Sequence, residues 1–221
     1  KTTIATLLYK LFQKAGFKTG LLSTVAIFVD NQQFNATHTT PDSLAINSYL
    51  NKMVEVGVDF CFMEVSSHGI HQKRTAGLVF QGGIFTNLSH DHLDYHHTFA
   101  EYRDVKKKFF DELPKEAFCL VNIDDKNGLV MMQNTKAEVI TVAIKSDADY
   151  RARVVENQFT GLQLNINGKE LWVTDGTAAN TYMVADINPI GSGDPAELTV
   201  FGNENDAKML AEVFINSLQE D

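Results

Sequence analysis

The sequence contains few of the residues and segments that are typical of extracellular or membrane proteins. Only two of its 221 residues are cysteine, which is too few for a disulfide framework, and their positions, 61 and 119, exclude a CxxC metal or redox pair. No apolar run approaches the roughly 20 residues needed to cross a bilayer. The opening residues KTTIATLL show neither a basic region nor a small-residue cleavage site. We therefore expect a cytoplasmic protein that makes no membrane contact.

Positive charge is also scarce, with 19 Lys and Arg residues against 28 Asp and Glu residues and a net charge of −9. Proteins that coat nucleic acids usually carry the opposite sign, so we expect no nucleic-acid partner. The hydrophobic fraction of 44% and the charged fraction of 21% are those of an ordinary folded protein. A chain of this length forms one large domain or two small ones.

Amphipathic helices and apolar strands alternate over the first 150 residues. Helical periodicity covers 2–15, 41–56 and 98–110, and strand-like runs cover 18–24, 58–65, 83–88, 117–123 and 138–144. The runs 58–65 and 83–88 are almost continuously apolar, which is typical of strands buried on both faces. This alternation predicts an α/β fold in residues 1–150, with a P-loop-like, mostly parallel sheet flanked by helices.

The pattern changes in residues 151–221, where we expect a short β-rich part followed by a loop-rich tail. Short strands are separated by the turn signals Thr160-Gly161 and Asn167-Gly168. Residues 175–203 are rich in loop-forming residues, and 206–218 has the pattern of a terminal amphipathic helix. Residues 170–177, with the sequence ELWVTDGT, resemble one unit of a repeat found in bacterial surface β-propeller-like proteins.

Two features of the α/β region indicate phosphate or metal chemistry. Lys1-Thr2-Thr3 opens a helix, and a lysine followed by a hydroxyl residue at a helix N-terminus is how a phosphate-binding loop ends. Glu64 ends an apolar strand, where a carboxylate can hold Mg²⁺ directly or through water. The plain alternatives are a solvated lysine and a solvated strand end.

Polar residues follow two of the apolar strands. Ser66, Gln72 and Arg74 come after the first strand and form a candidate binding loop. Residues 87–97 follow the second strand and contain four of the seven histidines, a density that favours metal or phosphate chemistry. A metallo-hydrolase motif of the form HxHxDH is an alternative interpretation, although position 95 is Tyr where the motif requires His.

Lys106 is an unexpected residue on the helix 98–110. It follows Tyr102 by four positions and precedes Phe109 by three, so it shares their apolar face, whereas Lys107 and Lys108 point elsewhere. A buried amine loses hydration and favours its neutral form, which can act as a nucleophile or take up CO₂ to give a metal-binding carbamate. The alternative is a side chain that extends along the apolar surface to solvent.

Taken together, these segments resemble the central ATPase domain of the Mur ligase family over roughly residues 1–170. The matching segments, in order, are Lys1-Thr2-Thr3, His38-Thr39-Thr40-Pro41-Asp42-Ser43, Met63-Glu64-Val65-Ser66-Ser67-His68-Gly69, Gln72-x-Arg74, Phe85-Thr86-Asn87-Leu88-Ser89-x-Asp91-His92-Leu93-Asp94-Tyr95-His96 and Tyr102-x-x-x-Lys106. The TTPDS and EVSSHG segments are similar to the branch of the family that adds the third amino acid to a UDP-N-acetylmuramyl-dipeptide in peptidoglycan synthesis.

The resemblance implies a role for each matching residue. Lys1, Thr2, Thr3 and Asn87 would bind ATP, and Thr2, Glu64, His92 and a carbamylated Lys106 would hold Mg²⁺ ions. Thr39, Thr40, Ser66, Gln72 and Arg74 would contact the UDP-muramyl-peptide. Lys1, Glu64, His92 and Lys106 would be the catalytic set. The reaction implied is phosphorylation of a carboxylate by ATP, followed by attack of an amino acid's amine on the acyl phosphate.

The family also has parts that this sequence does not contain. A Gly-x-x-Gly stretch precedes Lys-Thr-Thr in the family, and separate N- and C-terminal domains bind the uridine and select the amino acid. We therefore expect a ligase fragment that has no turnover alone, and lysine and diaminopimelate both stay open as the added residue. A nucleotide-silent remnant with a binding tail and a histidine-rich metal hydrolase are the alternative functions.

Overall fold

The computed structural model describes residues 1–89 and 95–158 and the strand segments 161–166, 170–174 and 182–186, with side chains up to residue 153. The helices are α1 (Thr2–Lys14), α2 (Ser43–Val56), α3 (Ser67–His71), α4 (Phe99–Asp111) and α5 (Gly128–Met131). The strands are β1 (Thr19–Leu22), β2 (Ile27–Val29), β3 (Gln32–Phe34), β4 (Phe60–Met63), β5 (Gly82–Phe85), β6 (Phe118–Asn122), β7 (Glu138–Ala143), β8 (Tyr150–Gln158), β9 (Gly161–Ile166), β10 (Glu170–Thr174) and β11 (Tyr182–Asp186).

The described strands form two sheets. The first has the order β3-β2-β1-β4, and the second has the order β11-β10-β9-β8-β7-β6-β5. Strand β1 pairs with β4 in parallel, and β5 to β8 also pair in parallel, while the remaining pairs are antiparallel. Parallel strands with helices between them confirm the predicted α/β fold, and antiparallel hairpins extend the outer side of each sheet.

The first sheet is covered by a helix on each face. Consecutive residues of a strand point to opposite faces, and Leu21 packs with Ala5 and Tyr9 of α1 while Leu22 packs with Ile46 and Met53 of α2. Both leucines are fully buried. The second sheet has its own core, in which α4 and α5 supply Tyr102, Phe110 and Met131 against Phe85 and Val121.

Capping residues set the helix ends largely where the sequence predicts them. Asp42 caps α2 by accepting a hydrogen bond from Ala45 N, and Gly57 ends it with a left-handed φ of 75°. Thr98 caps α4 through Glu101 N. One detail of α2 differs from the sequence pattern: the pattern puts Val54 on the apolar face, but Val54 is 76% exposed because Met53 takes the core position.

Two strands predicted to be buried on both faces are instead sheet edges. β4 ends the first sheet and β5 ends the second, and a cleft of about 610 Å³ lies between them, lined by residues of both strands. Phe60 and Ile84 are therefore 40% and 37% exposed. Cys61 and Cys119 both stand in apolar runs, a pattern that predicts buried free thiols. Cys119 is fully buried, whereas Cys61 is exposed at the cleft wall, so the prediction is wrong for Cys61.

The C-terminal strands agree with the turn signals of the sequence. β8, β9 and β10 are the three predicted short strands, and β11 adds one more antiparallel strand within the predicted loop region. The predicted helix 206–218 lies outside the described residues. In the part of the chain that the structure describes, no helix is long and apolar enough to span a membrane.

Candidate functional site

Two of the predicted site residues, Glu64 and Asn87, lie where parallel strands end. Glu64 directly follows β4, Thr86 and Asn87 follow β5, and the loop containing Thr24 follows β1. The carboxyl ends of parallel strands in an α/β sheet are the usual place for a ligand. The helix start at Thr2 reaches the same edge, because the Thr2 hydroxyl donates to Glu64 Oε2 at 2.9 Å.

Glu64 is the buried centre of this edge. Its side chain is 4% exposed, and both of its oxygens are engaged. Oε1 accepts from the Thr24 N–H at 2.9 Å, while Oε2 accepts from the hydroxyls of Thr2 at 2.9 Å and Thr24 at 3.4 Å. These three donors give both oxygens of a buried side chain hydrogen-bond partners within the fold. Thr24, which sequence reasoning missed, therefore orients Glu64.

The Thr2 hydroxyl and the Glu64 carboxylate fit the demands of Mg²⁺. Both are hard oxygen donors, and their 2.9 Å separation lets one cation contact both. Within residues 1–89 and 95–153, no group of three or more His, Cys, Asp or Glu side chains comes together. An ion held here would complete its shell with water and phosphate oxygens, which is the usual arrangement for Mg²⁺.

Lys1, Asn87 and Lys106 line the same cleft as Glu64. Lys1 precedes the first residue of α1 and does not cap the helix through its side chain. The first N–H groups of a helix have no acceptor within the helix, and Lys1 supplies none from its side chain, so the start of α1 suits a phosphate. Thr3 follows in the same turn and is half-buried.

Lys106 is buried on the apolar face of α4, as predicted. It is 7% exposed, and its Nζ lies 5.4 Å from the centre of the Tyr102 ring, in cation–π range. Extension of this side chain to solvent is thus excluded. Lys107 is also buried, at 9% exposed, but on another face, where it pairs with Asp111.

The residues expected to contact the UDP-muramyl-peptide form one hydrogen-bonded network. Thr40 Oγ1 donates to Glu64 O and accepts from Ser66 N, each at 2.9 Å. The Arg74 guanidinium donates to Thr40 O at 2.6 Å and to Gln72 Oε1 at 2.7 and 2.9 Å. Thr39 is linked to the metal side of the site through Thr24, at 3.1 Å between their hydroxyl oxygens.

The segment 66–71 is a short helix rather than a plain loop. Ser66 caps α3 by accepting from Gly69 N at 3.1 Å. A Cβ at Gly69 would lie 2.8 Å from Thr40 Cγ2, so only glycine lets α3 pack this closely on Thr40.

His92 lies outside the described residues, as do His90 and Asp94 of the HxHxDH alternative. At the ends of β5 and β6, two further polar residues have a structural role that the sequence pattern did not indicate. Asp125 accepts from Leu88 N at 2.7 Å, and Asn122 donates to Thr86 O at 2.8 Å, so both hold the loop that carries Asn87. The polar run Asn122-x-Asp124-Asp125 after an apolar strand was the available signal.

The fold and the site define an α/β domain that gathers a helix start, a buried carboxylate and a polar network at one sheet edge. The Mur ligase middle domain matches residues 1–179, and the chain belongs to the Mur ligase family.

Several curated relatives share the name UDP-N-acetylmuramoyl-L-alanyl-D-glutamate--2,6-diaminopimelate ligase. The chain is 54% identical over 182 residues to the enzyme of Parabacteroides distasonis, covering 82% of this chain and 37% of that relative. It is 36% identical over 172 residues to the enzyme of Clostridium perfringens, covering 76% and 35%. The chain thus spans little more than a third of the length of these relatives.

Solved structures show the same fold. A structure of a ligase with that same name has a TM-score of 0.68 at 23% identity, covering 96% of this chain and 40% of the other. A crystal structure of MurF from Acinetobacter baumannii has a TM-score of 0.57 at 12% identity, covering 100% and 43%. The family match extends through β10, the strand of the repeat-like ELWVTDGT segment, and that segment's resemblance to a surface repeat stays a prediction.

Proposed function

We propose that this chain is the ATP-binding part of a ligase that adds the third amino acid to UDP-N-acetylmuramyl-dipeptide. The observation that carries the proposal is the Thr2–Glu64 contact at the carboxyl edge of the sheet, with Lys1 and buried Lys106 on the same cleft. Membership of the Mur ligase family supports this function over a metal hydrolase. The free thiols of Cys61 and Cys119 suit a reducing compartment, and we retain the cytoplasm as the proposed location.

Each group of residues has a distinct task in this proposal. The N–H groups at the start of α1 and the Lys1 ammonium hold the β- and γ-phosphates of ATP. Thr2 and Glu64 hold Mg²⁺, which supplies neutralisation of the phosphate charge when it is bound. Asn87 borders the nucleotide, and His92 and Lys106, as its carbamate, would hold a second ion. The position of Lys106, buried and on the wall of the cleft that Glu64 also lines, supports that assignment.

The polar network positions the second substrate. Thr39, Thr40, Ser66, Gln72 and Arg74 contact the UDP-muramyl-peptide, whose carboxylate takes the γ-phosphoryl group of ATP. The amine of the incoming amino acid then attacks the acyl phosphate and releases phosphate. The names of the relatives support 2,6-diaminopimelate as that amino acid. Domains that bind uridine and select the amino acid are the proposed covalent partners of this chain.

Thermal unfolding of the chain with and without Mg·ATP tests the nucleotide part of the proposal. A ligand at 100 times its Kd adds about 2.7 kcal/mol of stability, which is a rise of roughly 5–10 °C for a domain of this size. We expect that rise in the wild type and in the control Lys10→Ala, an exposed lysine of α1. Lys1→Ala should lose it. No rise in the wild type, or an equal rise in Lys1→Ala, would contradict the proposal.

A further inference from the structure

We propose that Tyr95 is a positioning residue that orients Gln72, and through Gln72 also Arg74, for binding of the UDP-muramyl-peptide. This inference rests on the proposed function, and neither the sequence nor the family resemblance indicated it. Tyr95 lies three positions after His92 in the sequence and is the first described residue after the segment 90–94. Through its hydrogen bond to Gln72, Tyr95 connects the chain that follows the candidate metal ligand His92 to the hydrogen-bonded network of Gln72 and Arg74.

The Tyr95 hydroxyl is held between two side chains of the α3 region. Gln72 Nε2 donates to Tyr95 Oη at 3.3 Å, and His71 Nδ1 lies 2.9 Å from the same oxygen. Because Oη accepts from Gln72, its own proton can be donated to His71 Nδ1, with the imidazole proton on Nε2. The Tyr95 ring also packs against His68, with the ring centres 3.9 Å apart. The hydrogen bonds and the ring packing together set the position of the Tyr95 hydroxyl.

Gln72 in turn orients the side chain of Arg74. Its amide nitrogen is fixed by Tyr95, so its Oε1 faces the guanidinium and accepts two hydrogen bonds from it. Arg74 is then held against Thr40 O, next to Glu64 and Ser66.

Gln72 is an exposed side chain at the end of a short helix, and its side-chain hydrogen bonds to other described residues are those to Tyr95 and Arg74. A freely rotating glutamine would have to be ordered when the ligand binds, which weakens affinity. The hydrogen bond to the Tyr95 hydroxyl holds the Gln72 side chain in place before the ligand binds, so this ordering does not weaken affinity.

Binding of UDP-N-acetylmuramoyl-L-alanyl-D-glutamate to the 221-residue chain, measured by calorimetry, tests the inference. Tyr95→Phe removes only the hydroxyl and keeps the ring, and loss of one such hydrogen bond should weaken binding about three- to tenfold. Gln72→Ala should also weaken binding, and Tyr95→Phe added to Gln72→Ala should cause no further loss. Tyr49→Phe, the same change in a tyrosine of α2 that packs on Phe34, should bind as the wild type does. Wild-type affinity in Tyr95→Phe, or an undiminished loss in the Gln72→Ala background, would overturn the inference.

A second measurement needs no ligand and separates this inference from the proposed function. The side-chain amide signals of Gln72, assigned by their absence in Gln72→Ala, should move in the ¹⁵N NMR spectrum of Tyr95→Phe and stay in place in Tyr49→Phe. Unmoved Gln72 signals in Tyr95→Phe would refute the positioning role. If the wild type does not bind the dipeptide, the polar network of this chain does not hold that substrate without the uridine-binding domain, and the spectra decide whether Tyr95 orients Gln72.

Discussion

Thr40→Val should destabilise the fold because it removes one hydroxyl from a fully buried position. Thr40 Oγ1 satisfies Glu64 O and Ser66 N at 2.9 Å each, and the side chain is 0% exposed. Valine has nearly the same shape, so packing against Gly69 is retained and only the hydrogen bonds are lost. Each buried backbone group left without a partner costs about 1–3 kcal/mol, so we expect a loss of about 2–4 kcal/mol in the free energy of unfolding.

Urea unfolding followed by circular dichroism measures this loss. With a slope of about 2 kcal/mol per molar urea, the midpoint should fall by about 1–2 M. Thr40→Ser keeps the hydroxyl and should lose only about 1 kcal/mol for the missing methyl group. Thr37→Val, at an exposed position three residues earlier, is the matched control and should stay within about 0.5 kcal/mol of the wild type. A Thr40→Val midpoint equal to that of Thr37→Val would refute the reasoning.

Two further predictions concern titrating groups. Cys61 borders solvent, but the apolar side chains that line the cleft remove water from around its thiol and raise its pKa to about 12. Thiol labelling of Cys61 at pH 8 should therefore be roughly 10³-fold slower than in the urea-unfolded chain and should rise about tenfold per pH unit. Cys61→Ser identifies the signal, and fast labelling at pH 8 would contradict the prediction. Burial acts to raise the pKa of Asp124, but the N–H groups of Lys145, Ile144 and Ser146 outweigh it and hold that pKa below its usual value. A carboxyl group whose pKa is depressed stabilises the fold at pH values above its unfolded-state pKa of about 3.9. Asp124→Asn should therefore lower the free energy of unfolding at pH 7, and the gap in that free energy between mutant and wild type should shrink as the pH falls below about 4. A gap that does not change with pH would contradict this.

Local features of the fold followed directly from the sequence. Asp42, Gly57 and Thr98 end or begin helices within a residue or two of the predicted positions, because capping depends on the residue and its immediate neighbours. Burial of Lys106 followed from its spacing to Tyr102, since helical periodicity places residues four apart on one face.

Features that depend on distant parts of the chain could not be predicted. The contacts of Thr24 with Glu64 and of Asp125 with Leu88 join loops 40 and 37 residues apart. No local pattern encodes such pairings, because they arise only when parallel strands bring their carboxyl ends to one edge. The exposure of β4 and β5 was missed for a similar reason, since an apolar run indicates that a strand can be buried and says nothing about its neighbours.

By itself, the sequence determined the α/β class, the helix ends, the candidate residues Lys1, Thr2, Glu64 and Lys106, and the resemblance to the Mur ligase family. Only the tertiary structure decided that Glu64 accepts hydrogen bonds from both Thr2 and Thr24, and that the Tyr95 hydroxyl contacts Gln72 and His71. The physical reason is the range of the interactions. Propensity, periodicity and capping act within one or two turns of the chain, whereas hydrogen bonds to a buried carboxylate or a side-chain amide depend on which loops the completed sheet brings within about 3 Å of each other.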